Sequence, residues 1–164
     1  MAKYDYIIAI DPDVQESGVA TLVVSTRLLV TKRMAFPVLL DFMREQRAWA
    51  TINGMTMCVV VEAGWVNRPN WHIAGRNART AAAIGKQTGR NHEVGRLLVE
   101  MSRHYGIETI EQPPFRKCWQ GKDGKITAEE LRAVTGLTGR TNQDERDAAL
   151  MAWLTANLPV RIVR

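Results

Sequence analysis

The sequence predicts an α/β fold on a mixed five-stranded sheet, a three-strand antiparallel meander joined to parallel strands and flanked by helices. Three observations predict it. Apolar, β-rich runs fill residues 4–11, 17–24 and 27–34 with only short links between them, and short links favour antiparallel neighbours. Two more such runs, 56–62 and 107–112, each follow a stretch of helical spacing, the mark of a crossover to a parallel strand. Beyond residue 112 the remaining periodic segments read as helices.

Taken in order, YDYIIAID (4–11) is a continuous apolar run stopped by Asp11-Pro12, as a strand buried on both faces would be. SGVATLVV and RLLVTKRM complete the meander. After Pro37, Leu39, Leu40, Met43, Ala48 and Trp49 fall near helical spacing, with Gly54 as the stop. TMCVVVE (56–62) is apolar throughout and therefore central; it too ends on a carboxylate, Glu62. A loop rich in Gly, Pro and Asn leads to a long helix over 78–104, with Ile84, Leu97, Leu98 and Met101 among its apolar positions. Gly85, Gly89 and Gly95 weaken that helix by about 1 kcal/mol each relative to Ala, and such glycines permit close packing or approach by a ligand backbone. IETIEQ (107–112) is stopped by Pro113 and Pro114. A basic loop, FRKCWQGKDGK, precedes the helix ITAEELRAV, and Thr141 or Asn142 caps the last helix, QDERDAALMAWLTANL.

Composition bounds the function. The 164 residues suit a single domain, and 46% hydrophobic with 24% charged residues is the balance of a soluble globular chain. A net charge of +5 is compatible with a polyanionic partner. Cys58 lies in an apolar run and Cys118 in a basic loop, without C-x-x-C spacing, so a reducing compartment without structural disulfides is expected. The N-terminal apolar run is too short for a signal peptide, and none approaches the roughly 20 residues of a membrane helix. The expected location is the cytoplasm.

Four acids carry the chemistry. Asp11 and Glu62 close two central strands, and if these are parallel neighbours both reach one edge of the sheet. Asp144 and Asp147 share a face in the first turn of the last helix, and apolar Met151 and Leu154 extend that face inward. Each acid alone has an ordinary explanation: a turn, a solvated strand end, or a favourable charge at a helix N-terminus. Together they would repel one another unless cations sit between them. Hard divalent cations bound by carboxylate oxygens resolve the conflict, Mg²⁺ being the usual one for phosphate chemistry.

These segments resemble RuvC-type Holliday-junction resolvases of the RNase H-like superfamily. IIAIDPDVQESGVATLV is similar to that family's first strand and turn, VVVEAGW to its second acidic strand, and QDERDAALMAW to its final helix, in order along nearly the whole chain. The resemblance implies an RNase H-like fold and Asp11, Glu62, Asp144 and Asp147 as ligands of two Mg²⁺ ions, with Mn²⁺ able to substitute. It implies phosphodiester hydrolysis in four-way DNA junctions by a homodimer, in a bacterial or phage-infected cytoplasm, with a branch-migration helicase as a further partner. Lys117 and Lys125 fall where the family places basic residues, Lys117 as a candidate catalytic group and Lys125 as a phosphate contact. Trp65 matches an aromatic that engages bases near the junction centre. One departure is Asp13, which replaces the glycine of the family's Asp-Pro-Gly.

Further DNA contacts are expected from Arg68, Trp71, Arg76, Arg79 and Lys86, basic groups tracking the backbone and tryptophans stacking on unpaired bases. Trp119 is a weaker candidate of the same kind, and Trp153 is expected in the core. His72, His92 and His104 lack zinc-ligand spacing and receive no catalytic role. Two alternatives stay open: another nuclease of this fold cutting forks, flaps or single strands, and a non-catalytic DNA-binding module.

Overall fold

The computed structural model describes residues 2–67 and 77–160. One sheet holds β1 (Tyr6–Asp11), β2 (Ser17–Val23), β3 (Leu28–Met34), β4 (Met57–Glu62) and β5 (Glu108–Gln112) in the order β3-β2-β1-β4-β5. β1, β2 and β3 form the antiparallel meander, and β4 and β5 extend it in parallel to β1. The mixed five-stranded sheet expected from the sequence is the sheet observed. Among the described residues four α-helices flank it: α1 (Phe36–Ile52), α2 (Ala78–His104), α3 (Ala128–Thr135) and α4 (Gln143–Thr155). Among the described residues no helix is long and apolar enough to cross a membrane.

Strand side chains alternate between two faces, and each face has its own core. Ile7, Ala9, Ala20, Leu22, Cys58 and Val60 pack with α3 and α4. Ile8, Ile10, Val19, Val59 and Val61 pack with α1 and α2. Both faces being covered explains why β1 and β4 read as unbroken apolar runs rather than alternating ones.

α2, α3 and α4 start where a side chain satisfies free N–H groups, whereas α1 starts after Ala35 with no side-chain cap and Pro37 in its first turn. Asn77 caps α2 by accepting from the Thr80 N–H at 2.8 Å. Thr127 with Glu130, and Asn142 with Glu145, form reciprocal capping boxes on α3 and α4. α3 stops at Gly136 in the left-handed region, φ +76°.

Two helix faces differ from expectation. On α1 the buried positions are Leu39, Met43 and Ala50, whereas Ala48 is exposed and Trp49 lies edge-on to Tyr6 at 5.3 Å. The buried stripe follows an i, i+4, i+11 course that leaves Ala48 on the outer side. On α2 the buried residues are Gly95, Leu98, Val99 and Ser102, while Ile84 and Leu97 are exposed. The helix spans 27 residues, about 40 Å, and only its second half lies on the sheet. A Cβ at Gly85 or Gly89 would meet nothing within 4 Å, so of the three glycines only Gly95 makes a close contact.

Candidate active site

The four acids are brought together by register. In β1 the residues Ile7 and Ala9 face α4, so Asp11 does too; in β4 the same holds for Cys58, Val60 and Glu62. Ile10 stands opposite Val61 across the parallel ladder, which makes Asp11 and Glu62 neighbours at the C-terminal edge. α4 crosses that face with its first turn over the same edge, adding Asp144 and Asp147. Gly18 permits the approach: it pairs with Asp11, and a Cβ there would lie 2.2 Å from the Asp144 carbonyl carbon.

Among the described residues the Lys125 ammonium is the close answer to these charges, with Arg33 a weaker opposing charge on Asp144. Lys125 Nζ donates to Asp147 Oδ2 at 2.8 Å, and Gln143 Nε2 donates to Asp147 Oδ1 at 2.7 Å. Gln143 and Arg146 also donate to the Ile126 carbonyl at 3.3 and 3.2 Å, tying the Lys125 segment to α4. Burial, then the charges of Glu62, Asp144 and Asp147, push the Asp11 carboxyl well above its ordinary range, with Lys125 opposing. Burial and the Asp147 charge likewise raise Glu62. Asp144 is raised by burial first, against the pull of Lys125, and then by Asp13 and Asp147. Burial is the largest single influence on Lys125 and would lower it, but its bond to Asp147 together with the charges of Asp147, Asp11 and Glu62 outweighs that and raises it.

Two cavities flank this edge, and Glu62 lines both. One, of about 250 Å³, is bounded by Glu62, Asp147, Lys125, Lys117, Phe115 and Trp119. The other, of about 170 Å³, is bounded by Asp11, Glu62, Trp65, Thr88, Asn91 and His92. Asn91 also fixes the turn after β1: its Oδ1 accepts from the Val14 N–H at 3.0 Å and its Nδ2 donates to Asp13 Oδ2 at 3.3 Å. Asp13, where the resembled family has glycine, is thus a partner of α2.

Carboxylate oxygens with too little opposing charge fit a hard divalent cation. Among the described residues no three His, Cys, Asp or Glu side chains are already gathered as a metal-ligand group. The fit rests on donor chemistry and shared electrostatics: three of the acids have raised proton affinity, and each feels charge from others in the set.

The other expected site residues are divided. Lys125 is in the cluster, and Lys117 is exposed on the rim of the larger cavity. Trp65 is half-buried and held. A Cβ at Gly95 would lie 2.4 Å from its ring, its Nε1 donates to Glu111 Oε2 at 3.2 Å, and the Arg96 guanidinium lies 5.7 Å from its centroid. Arg79 and Lys86 are exposed on the outer half of α2 and line neither cavity. Arg68, Trp71 and Arg76 lie outside the described residues. Thr88, Asn91 and His92 were not expected at the edge. Extending the buried α2 stripe of Gly95, Leu98 and Ser102 back by three or four residues reaches His92 and Asn91, and by seven Thr88, and that is the signal the sequence held.

No protein-family model matches this chain, and no curated protein matches it. Among solved structures the chain is similar to T. thermophilus RuvC in complex with Holliday junction substrate. Identity is 16%, over 92% of this chain and 90% of that one, with a TM-score of 0.48. A likeness of this extent assigns no residue a role.

Proposed function

We propose that the protein is a metal-dependent endonuclease that cuts branched DNA, with four-way junctions as its substrate. The observation that carries this reading is the convergence of Asp11, Glu62, Asp144 and Asp147, from two strands and a helix, on one sheet edge with, among the described residues, a single close ammonium. Mg²⁺ held by these carboxylates would supply activation of water and neutralisation of charge at a scissile phosphate. The protein's own part is placement. β1, β4 and α4 fix the four carboxylates on a rigid edge. Lys125 holds Asp147 and brings positive charge next to the bound phosphate, and Lys117 does the same from the rim. Burial of the acids keeps bulk water from screening these interactions. The resemblance to junction resolvases extends the reading to paired cuts by a homodimer, in the cytoplasm and alongside a branch-migration helicase.

The test compares cleavage of a four-way junction, a fork and a linear duplex in Mg²⁺ and in chelator. The expected result is cutting only with the metal, symmetric in the junction, and its abolition by Asp11→Asn with junction binding retained. Preference for the fork or duplex would reassign the substrate. Wild-type cutting by Asp11→Asn would remove the acids from the chemistry, and junction binding without any cutting would make the protein a DNA-binding module.

A further inference from the structure

Trp65, the aromatic set by resemblance against DNA bases, is occupied: Gly95 lies against its ring and Glu111 takes its N–H. The larger cavity on the other side of Glu62 offers two different aromatics. Phe115 and Trp119 form an apolar wall, Arg116 and Lys117 a cationic rim, and Glu62 and Asp147 the carboxylate floor. The wall is preformed. Trp119 donates its backbone N–H to the Gly124 carbonyl at 3.0 Å, Gly121 donates to the Lys125 carbonyl at 2.9 Å, and Gln120 N–H reaches the α3 capping residue Glu130 at 3.1 Å. Gly124, at φ +72°, lets the loop fold onto Lys117, for a Cβ there would lie 2.8 Å from the Lys117 Cβ.

These three surfaces match the three parts of a nucleotide: a π face, an anionic phosphate, and a reacting bond beside the acids. The volume of about 250 Å³ falls below the roughly 300–1,000 Å³ of drug-sized pockets, too small for a base pair. We propose that this cavity seats a single unpaired nucleotide adjacent to the phosphate that is cut, its base against Trp119 and Phe115 and its phosphate against Arg116 and Lys117. Stacking of this kind is tolerant of sequence, so the subsite reads the unpaired state rather than the base. The proposal rests on the nuclease reading, because the acids define where the cut phosphate lies.

The probe is a branched DNA carrying one unpaired nucleotide at the branch point, paired with the same DNA in which that nucleotide is abasic. Binding is followed by fluorescence anisotropy in chelator. Wild-type protein is expected to bind the intact DNA roughly tenfold tighter than the abasic DNA. Trp119→Ala should bind both alike, and Trp119→Phe should restore the preference. The exposed Cys118, next to Trp119, should alkylate more slowly with intact DNA bound, while buried Cys58 stays unreactive in either case. Equal wild-type affinity for the two DNAs, or an undiminished preference in Trp119→Ala, overturns the subsite. The wild-type comparison needs no variant, so a folding defect cannot obscure it. If the protein cuts DNA with Mg²⁺ yet shows no preference, only the subsite falls; if it neither binds nor cuts DNA, the nuclease reading falls and takes the subsite with it.

Discussion

Gly18 sits across the ladder from Asp11 and directly beneath the first turn of α4. A methyl group there would lie 2.2 and 2.4 Å from the carbonyl carbon and oxygen of Asp144. Those are backbone atoms, so no rotamer change relieves the overlap and the helix itself must lift. Gly18→Ala is therefore expected to cost about 1–3 kcal/mol, the usual range for overpacking, and to move Asp144 away from Asp11. A thermal melt in chelator reads the first effect and the rate of Mg²⁺-dependent cutting the second, with a loss of at least roughly tenfold expected. Gly85→Ala supplies the contrast. Its Cβ meets nothing within 4 Å, so the exposed helix should gain about 0.5–1 kcal/mol with cutting unchanged. Equal behaviour of the two variants would show that the close approach of α4 is not what places Asp144.

Strands and helix starts were the legible elements. Burial on both faces writes itself as unbroken apolar runs in β1 and β4, and Asn142 announces the α4 cap because few side chains satisfy a free helix N–H. The two strand-end acids could be found the same way, since a carboxylate closing a buried run stands out against its neighbours. Helix faces were less legible. Ala48 and Trp49 have the character of core residues, yet which side of α1 faces the sheet depends on its docking angle, which spacing alone does not set. The α2 contribution was hidden for a related reason: Thr88, Asn91 and His92 are polar and belong to a stripe whose buried half begins only at Gly95. The parallel pairing that aligns the acids also has an anchor at its other end. Asp5 accepts from the Thr56 N–H at 2.8 Å and from its hydroxyl at 2.7 Å, bonds that hold the Asp5 carboxyl below its ordinary range. A depressed folded value stabilises the fold above the unfolded value and is lost as pH falls through the folded one. Asp5→Ala should thus lower the melting temperature at pH 7, and the gap to wild type should close as pH falls below about 3.9. A gap unchanged from pH 7 to pH 2 would mean that the loss comes from packing and not from the charged acceptor.

Across the whole molecule the charge is unevenly spread. The chain carries a net +5, yet at one sheet edge four carboxylates face, among the described residues, one close ammonium, and burial leaves them poorly screened. Metal-free, that edge works against folding, and two measurements with opposite signs follow. Asp11→Asn removes one charge from the cluster, so in chelator it should melt higher than wild type by a few degrees, given about 2–4 °C per kcal/mol for a chain of this size. A divalent cation that binds the folded edge and not the unfolded chain stabilises by mass action, about 2.7 kcal/mol at a hundred times its dissociation constant. Wild-type protein should therefore gain roughly 5–10 °C on Mg²⁺ addition, and Asp11→Asn distinctly less. Sodium chloride at matched ionic strength separates site binding from general screening, which would raise both proteins alike. A wild-type melt insensitive to Mg²⁺ and Mn²⁺, together with an Asp11→Asn variant that melts lower in chelator, would mean that the carboxylates are held by partners within the protein rather than waiting for a cation, and the nuclease reading would lose its foundation.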